Sequence, residues 1–321
     1  MRILLTTTSF QDTPGPHHAL LASSGFEVVN ARGPLSESQV LDLIRSGPGF
    51  DGFLNGDDAI TAKVIDAALP RLKVIAKYGI GLDSIDVKHA TTRKLPVLFT
   101  PGVNHTAVAE QTFGLIIAVA KHFWFHIKST KEGGWKRQTG TELWNKKIAV
   151  LGMGRVGKEV MKRAKAFEMT VVGHGNYWDD AFAREHNIRR AATIEDAVKN
   201  ADIISLHMHV TDQNRHFVNK SLLSSLKKGA IIVNTARGAL VDEQAIVDAC
   251  KSGQLTGYGT DVLETEPQKA PHPFQTVDNI IVTPHIGSRT NESVERQAIR
   301  AVTNIIQFLT GGKDYIQANE F

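Results

Sequence analysis

Three segments in the second half of the chain end an aliphatic run with side chains that can bind or move charge. Ile231-Ile232-Val233 runs into Asn234-Thr235-Ala236-Arg237-Gly238. A guanidinium just past a strand can grip a carboxylate with two parallel hydrogen bonds from its planar fork. Gly259-Thr260 leads to Asp261-Val262-Leu263-Glu264-Thr265-Glu266-Pro267, which supplies three acids. Ile281-Val282-Thr283-Pro284 precedes His285-Ile286-Gly287-Ser288, an imidazole whose charge can change near neutral pH. Interconversion of a 2-oxo acid and a 2-hydroxy acid needs such a set. It takes a cation for the carboxylate, a proton donor poised near neutrality, and an acid that favours the donor's charged form. Each residue alone also has a structural reading, so the weight lies on their joint placement beside a nucleotide-binding turn.

That turn follows Lys146-Lys147-Ile148-Ala149-Val150-Leu151 and reads Gly152-Met153-Gly154-Arg155-Val156-Gly157. A short buried-strand pattern precedes it, and Val156, Val160, Met161 and Ala164 recur at helical spacing after it. In a strand–turn–helix of this kind Gly152 permits the tight turn, and Gly154 lets the backbone approach a pyrophosphate. Gly157 lets helix and strand pack closely. The helix N-terminus then offers unpaired N–H groups to the anion. The next strand, Met169 to Gly173, should end in an acid for the adenosine ribose hydroxyls. It ends in His174-Gly175-Asn176 instead, with no carboxylate before Asp179 and no arginine for a 2′-phosphate. NAD and NADP both remain open.

These groups need a scaffold of parallel strands. Residues 1 to about 100 alternate strand-like runs (Ile3 to Thr7, Phe26 to Asn30, Gly52 to Asn55, Lys73 to Ala76, Val97 to Thr100) with helical patterns. One of the latter opens at Ser36 as a cap, with an acid in its first turn. Such alternation predicts a parallel sheet with helices on both faces, whose ligands bind beyond the carboxyl ends of the strands. Lys77-Tyr78-Gly79-Ile80-Gly81-Leu82-Asp83 sits at one such end, where two glycines can turn N–H groups toward a small anion and Lys77 adds charge. An ordinary βα turn reads the same way. Thr100-Pro101-Gly102 marks a domain boundary. A long helix is expected from about Thr106 to Phe125, its aromatic end Phe123-Trp124-Phe125 either core or a subunit interface, then an arm or loop over Lys128 to Asn145. Strands are expected at Ile203 to Leu206, Ala230 to Asn234, Thr256 to Thr260 and Asn279 to Val282, and a last helix from Asn291 to about Leu309.

Composition narrows the partners. The chain has 321 residues, enough for two domains, with 42% hydrophobic and 22% charged residues. Its net charge of +4 is dispersed, which suits an anionic cofactor and substrate better than nucleic acid. A single cysteine, Cys250, excludes an internal disulfide and gives no metal-ligand spacing, so no metal and a cytoplasmic setting are expected. No apolar run approaches the ~18 residues of a membrane span, and Met1-Arg2-Ile3-Leu4-Leu5-Thr6 reads as a first strand rather than a signal peptide.

In order, these motifs resemble the D-isomer-specific 2-hydroxyacid dehydrogenases, the phosphoglycerate dehydrogenase and hydroxypyruvate/glyoxylate reductase branch above all. The likeness rests on Lys77–Asp83, Thr100-Pro101-Gly102-Val103-Asn104 with Val108-Ala109-Glu110, Gly140-Thr141-Glu142-Leu143, and the glycine turn. Asn234–Gly238, Asp261-Val262 with Glu266-Pro267, and Thr283–Gly287 complete it. The resemblance implies two doubly wound parallel-sheet domains with the active site in a cleft between them. One is a Rossmann nucleotide-binding domain over 101–285. The other is a discontinuous, flavodoxin-like substrate domain over 1–100 and 286–321. It further implies that Arg237 holds the substrate carboxylate and polarises the carbonyl, that His285 donates the proton, and that Glu266 raises the pKa of His285. The backbone of Tyr78, Gly79 and Ile80, beside Lys77, would bind the substrate. Gly152, Gly154, Arg155, Val156, Gly157, His174, Gly175, Met208, Thr235, Ala236, Asp261 and Ser288 would contact NAD or NADP, with Asp261 facing the nicotinamide amide.

Family members are usually dimers, paired through the part matching Gly102 to Asn145. The chain departs from the family at Gly175 and at His209, where proline is commoner, and no arginine cluster accompanies Lys77. The serine-feedback domain of longer phosphoglycerate dehydrogenases is not expected. The same fold also serves NAD(H)-sensing corepressors, the alternative to an enzyme that reduces small 2-oxo acids of the phosphoglycerate, glycerate or glycolate type.

Overall fold

A computed structural model describes residues 1–321. They form two compact units, Met1–Asn104 with Arg289–Phe321, and His105–Ser288.

The first unit holds five strands: β1 (Arg2–Leu5), β2 (Glu27–Asn30), β3 (Gly52–Asn55), β4 (Val74–Lys77) and β5 (Val97–Leu98). Every pairing is parallel, in the order β2-β1-β3-β4-β5. Alternate side chains feed opposite faces, as the strand period requires. Leu4, Phe53, Ile75 and Val97 join one core cluster, while Ile3, Leu5, Leu54, Val74, Ala76 and Leu98 join another. The helix Glu37–Arg45 starts with the expected cap: Ser36 Oγ accepts from Gln39 N–H, and Gln39 Oε1 accepts from Ser36 N–H at 2.9 Å. The helix Asn291–Leu309 returns to this sheet. Its Ala298, Ala301, Val302, Ile305 and Leu309 recur at helical spacing and lie in the cluster of Ile3 and Leu5.

The second unit holds seven: β6 (Lys147–Leu151), β7 (Thr170–His174), β8 (Arg189–Arg190), β9 (Ile203–Leu206), β10 (Ala230–Asn234), β11 (Leu255–Thr260) and β12 (Ile280–Val282). They too are all parallel, ordered β12-β11-β10-β9-β6-β7-β8. The order reverses between β6 and β9, so the glycine turn after β6 sits at the topological switch point, where such sheets bind ligands.

The long helix and the start of the arm expected from Lys128 need correction. The helix expected to run to Phe125 stops at Ala120, and a second runs over Phe123–Lys131. His122 between them adopts φ 52°, a left-handed conformation that no α-helix continues through. Strand β8 escapes a hydrophobicity reading because its two residues are exposed arginines.

Candidate active site

The glycine turn is shaped by close backbone contact. Gly152 has φ +110°, and a Cβ there would lie 2.3 Å from the His207 carbonyl oxygen; one on Gly157 would lie 1.9 Å from that of Gly152. Around Gly154 nothing lies within 4 Å of an added Cβ, so the turn leaves open space at the one glycine meant to approach a ligand. Helix Arg155–Ala166 starts there without a side-chain cap, which leaves its first N–H groups for an anion. The turn therefore fits a dinucleotide pyrophosphate. Gly175 lies against it, 3.3 Å from an added Cβ to Met153 N. His174 accepts from Gly152 N–H through its carbonyl, and its Nδ1 meets the Ala191 carbonyl at 3.1 Å. The first carboxylate beyond β7, Asp179, is bound to Lys158 at 2.5 Å and caps the next helix. Lys158 beside it holds that carboxyl below its usual range.

The ends of β10, β11 and β12 carry Arg237, Glu266 and His285. Buried Asn234 shapes the first turn, accepting from Ala236 N–H at 3.0 Å and donating to the Arg237 carbonyl at 2.9 Å. The Thr235 hydroxyl lies 2.8 Å from that of Thr112, and Arg237 donates through Nη1 to the Ala236 carbonyl. Glu266 Oε2 lies 2.6 Å from His285 Nδ1, and its Oε1 accepts from Leu263 N–H at 2.8 Å. A carboxylate only accepts, so Nδ1 carries its hydrogen. The pair is partly open to solvent, with side chains 43% and 35% exposed. Glu264, two residues away, turns instead to Arg215 and His216 at 2.9 and 2.8 Å.

His285 has φ 53°, a left-handed conformation for a non-glycine residue. Asp261 holds it there. His285 N–H donates to the Asp261 carbonyl, while Asp261 Oδ1 accepts from Thr283 Oγ1 at 2.5 Å and Ile286 N–H at 3.0 Å. Gly287 N–H reaches Oδ2 at 2.7 Å. Burial pushes the Asp261 carboxyl above its ordinary range, and the donors from Thr283, Ile286 and Gly287 oppose that push. The family resemblance implies a cofactor contact for Asp261; its bonds give it a positioning role, invisible without the β11–β12 pairing. Met208 packs against the second unit's core, and Ser288 closes that unit.

In the first unit, Gly79 has φ +127° and its N–H is used internally, donating to Thr100 Oγ1 at 3.0 Å. The N–H groups of Ile80 and Gly81 meet no acceptor in the chain and are the ones left for an anion. Burial raises the Tyr78 phenol to about 12. Lys77 is 2% exposed and donates to the Gly56 carbonyl and to Asp57, each at 2.6 Å. Thr7, Asn55 and Asp57 were not anticipated, because only the order β1-β3-β4 brings their strand ends beside Lys77.

Residues 113–287 match the family described as D-isomer specific 2-hydroxyacid dehydrogenase, NAD binding domain. The chain is 39% identical over 279 residues to D-3-phosphoglycerate dehydrogenase of Methanocaldococcus jannaschii, covering 86% of this chain and 52% of that one. It thus spans about half the length of that relative. It is 38% identical over 254 residues to hydroxypyruvate reductase of Thermotoga maritima, covering 78% of this chain and 81% of that one. The crystal structure of TT0316 protein from Thermus thermophilus superposes with a TM-score of 0.89 at 36% identity, covering 99% and 100% of the two chains. With its two parallel sheets and its nucleotide-binding turn, the chain belongs to the D-isomer-specific 2-hydroxyacid dehydrogenases, enzymes that use a nicotinamide cofactor.

Proposed function

We propose that this enzyme interconverts a small 2-oxo acid and the D-2-hydroxy acid, with Arg237, Glu266 and His285 as its catalytic set. The observation that carries the reading is the 2.6 Å Glu266–His285 pair, at strand ends of the sheet that bears the glycine turn. Bound at that turn, NAD or NADP supplies or accepts the hydride. The guanidinium of Arg237 binds the substrate carboxylate and polarises the carbonyl. His285 Nε2, the ring atom not engaged by Glu266, gives the carbonyl oxygen its proton in reduction and takes it back in oxidation. Glu266 complements the charged ring and holds its orientation. The Ile80 and Gly81 N–H groups bind the substrate as an anion.

The test is one absorbance panel at 340 nm crossing NADH and NADPH with glyoxylate, pyruvate, hydroxypyruvate, phosphohydroxypyruvate and longer 2-oxo acids. Turnover above about 1 s⁻¹ with at least one acid is expected. Absence of turnover throughout the panel would remove the reading. His285→Ala should cost between about 10² and 10⁴ in kcat/KM, the range of a general acid, while the variant still binds NADH.

The protein assembles as a homodimer through its aromatic arm. Phe123, Ile127, Trp135, Trp144 and Phe167 are exposed apolar side chains, and a hollow of about 390 Å³ opens among Ile117, Leu143, Trp144 and Phe167. Exposed apolar surface of this kind marks an interface. A light-scattering mass near 70 kDa, about twice the chain's 35.1 kDa, is expected; a monomer at micromolar concentration would refute the assignment. No helix is long and apolar enough to cross a membrane, and buried Cys250 is a free thiol, as in a cytoplasmic protein.

A further inference from the structure

The reading above leaves the group beyond C2 of the substrate undefined. We infer that Asp57, by neutralising Lys77, makes the enzyme select 2-oxo acids whose group at C3 is uncharged and reject those bearing a phosphate. The inference rests on the proposed function and names the substrate class of the same site.

Lys77 is the cation that a phosphorylated substrate would seek at this strand end, but its ammonium is already spent. Its side chain is 3% exposed, and its Nζ lies 2.6 Å from both the Asp57 carboxylate and the Gly56 carbonyl. Other charges of this unit are engaged as well. Arg32 and Arg289 share Asp12, at 2.5 and 3.2 Å. Asp58, fully buried, takes Thr6 Oγ1, Leu35 N–H and Gly56 N–H. Of these cations only Lys77 meets a carboxylate of its own, since Arg32 and Arg289 share Asp12 and Asp58 takes neutral donors. A dianionic phosphate would find the Lys77 charge already met, and it would have to displace or approach Asp57, a like charge.

A second observation points to what the face accepts instead. Asn55 Oδ1 and Thr7 Oγ1 are buried and make no hydrogen bond. Asn55 is the register partner of Lys77, and an added Cβ on Gly56 would lie 3.4 Å from Thr7 Oγ1, so both belong to the same strand ends. Buried polar atoms rarely stay unpaired, and a ligand hydroxyl would satisfy them where a methyl would not.

The experiment measures kcat/KM of the full chain for pyruvate, hydroxypyruvate and phosphohydroxypyruvate, in wild type and in Asp57→Asn. Asp57 has a side chain 72% exposed, so the isosteric change spares the fold. Wild type should prefer hydroxypyruvate, with phosphohydroxypyruvate at least tenfold poorer. Asp57→Asn, which frees the Lys77 charge, should raise the phosphorylated-to-unphosphorylated ratio at least tenfold, and Asp57→Glu should restore the wild-type ratio. A wild-type preference for the phosphorylated acid, or a ratio unmoved by Asp57→Asn, overturns the inference while leaving the enzyme assignment standing. No turnover of any of the three, with none elsewhere in the wider panel, overturns both.

Discussion

Glu266 does two jobs with one carboxylate: Oε1 anchors the Leu263 amide and Oε2 meets the His285 ring. Glu266→Gln can still present an oxygen to Nδ1–H but carries no charge. Reduction requires the protonated ring, and the carboxylate favours that form, so its loss should move the high-pH fall-off of kcat/KM to lower pH. A drop of about 10- to 100-fold at neutral pH should accompany the shift. A profile superimposable on wild type would show that the pair is structural. Arg237→Lys keeps a charge and loses the fork; a loss of at least tenfold in kcat/KM, ~1.4 kcal/mol in the barrier, is expected. An Arg237→Lys enzyme as efficient as wild type would mean that a point charge suffices.

At the scale of elements, the chemistry depends on loops held against glycines. A Cβ on Gly238 would lie 2.0 Å from the Leu263 carbonyl carbon and 2.2 Å from Glu264 N, so Gly238→Ala must push the loop that carries Glu266. The substitution should cost about 1–3 kcal/mol of stability, read from denaturant midpoints, and lower kcat more than NADH affinity. If kcat held while stability fell, the loop would be shown to tolerate displacement. Gly157→Ala meets the Gly152 carbonyl oxygen at 1.9 Å, so it should weaken NADH binding, measured by fluorescence titration, and leave the His285–Glu266 pair in place. Unchanged NADH affinity would dissociate that turn from the cofactor.

Across the whole molecule, two histidines, buried His17 and half-buried His207, set a pH limit on the fold. Burial pushes His207 down to about 3 from an ordinary 6.5, and burial also lowers His17. The unfolded chain protonates these rings first, so their contribution is complete above pH 6.5 and is lost as pH falls from there toward the folded values. For His207 the loss between pH 7 and pH 5 amounts to about 2 kcal/mol at most. The wild-type Tm should fall over that interval, and His207→Gln, which keeps a hydrogen bond to Ser205 within reach, should flatten the decline. Equal slopes for the two proteins would place the pH sensitivity elsewhere.

What the amino-acid sequence determined by itself was whatever depends on near neighbours. The aliphatic runs ending in Leu151, Asn234 and Thr260 announced buried parallel strands, and Gly152, Gly154 and Gly157 announced the nucleotide turn, because strand period and glycine geometry act over a few residues. The last helix, Asn291–Leu309, was legible for the same reason. The tertiary structure decided what depends on strands far apart in the chain. It turned Glu264 to Arg215 and His216 while Glu266 met His285, it assigned the Gly79 amide to Thr100, and it set Asp57 on Lys77. It also broke the long helix at His122. A loop acid cannot declare its partner from its own segment, since the nearest charge in space is chosen by strand order and packing, which no local spacing encodes.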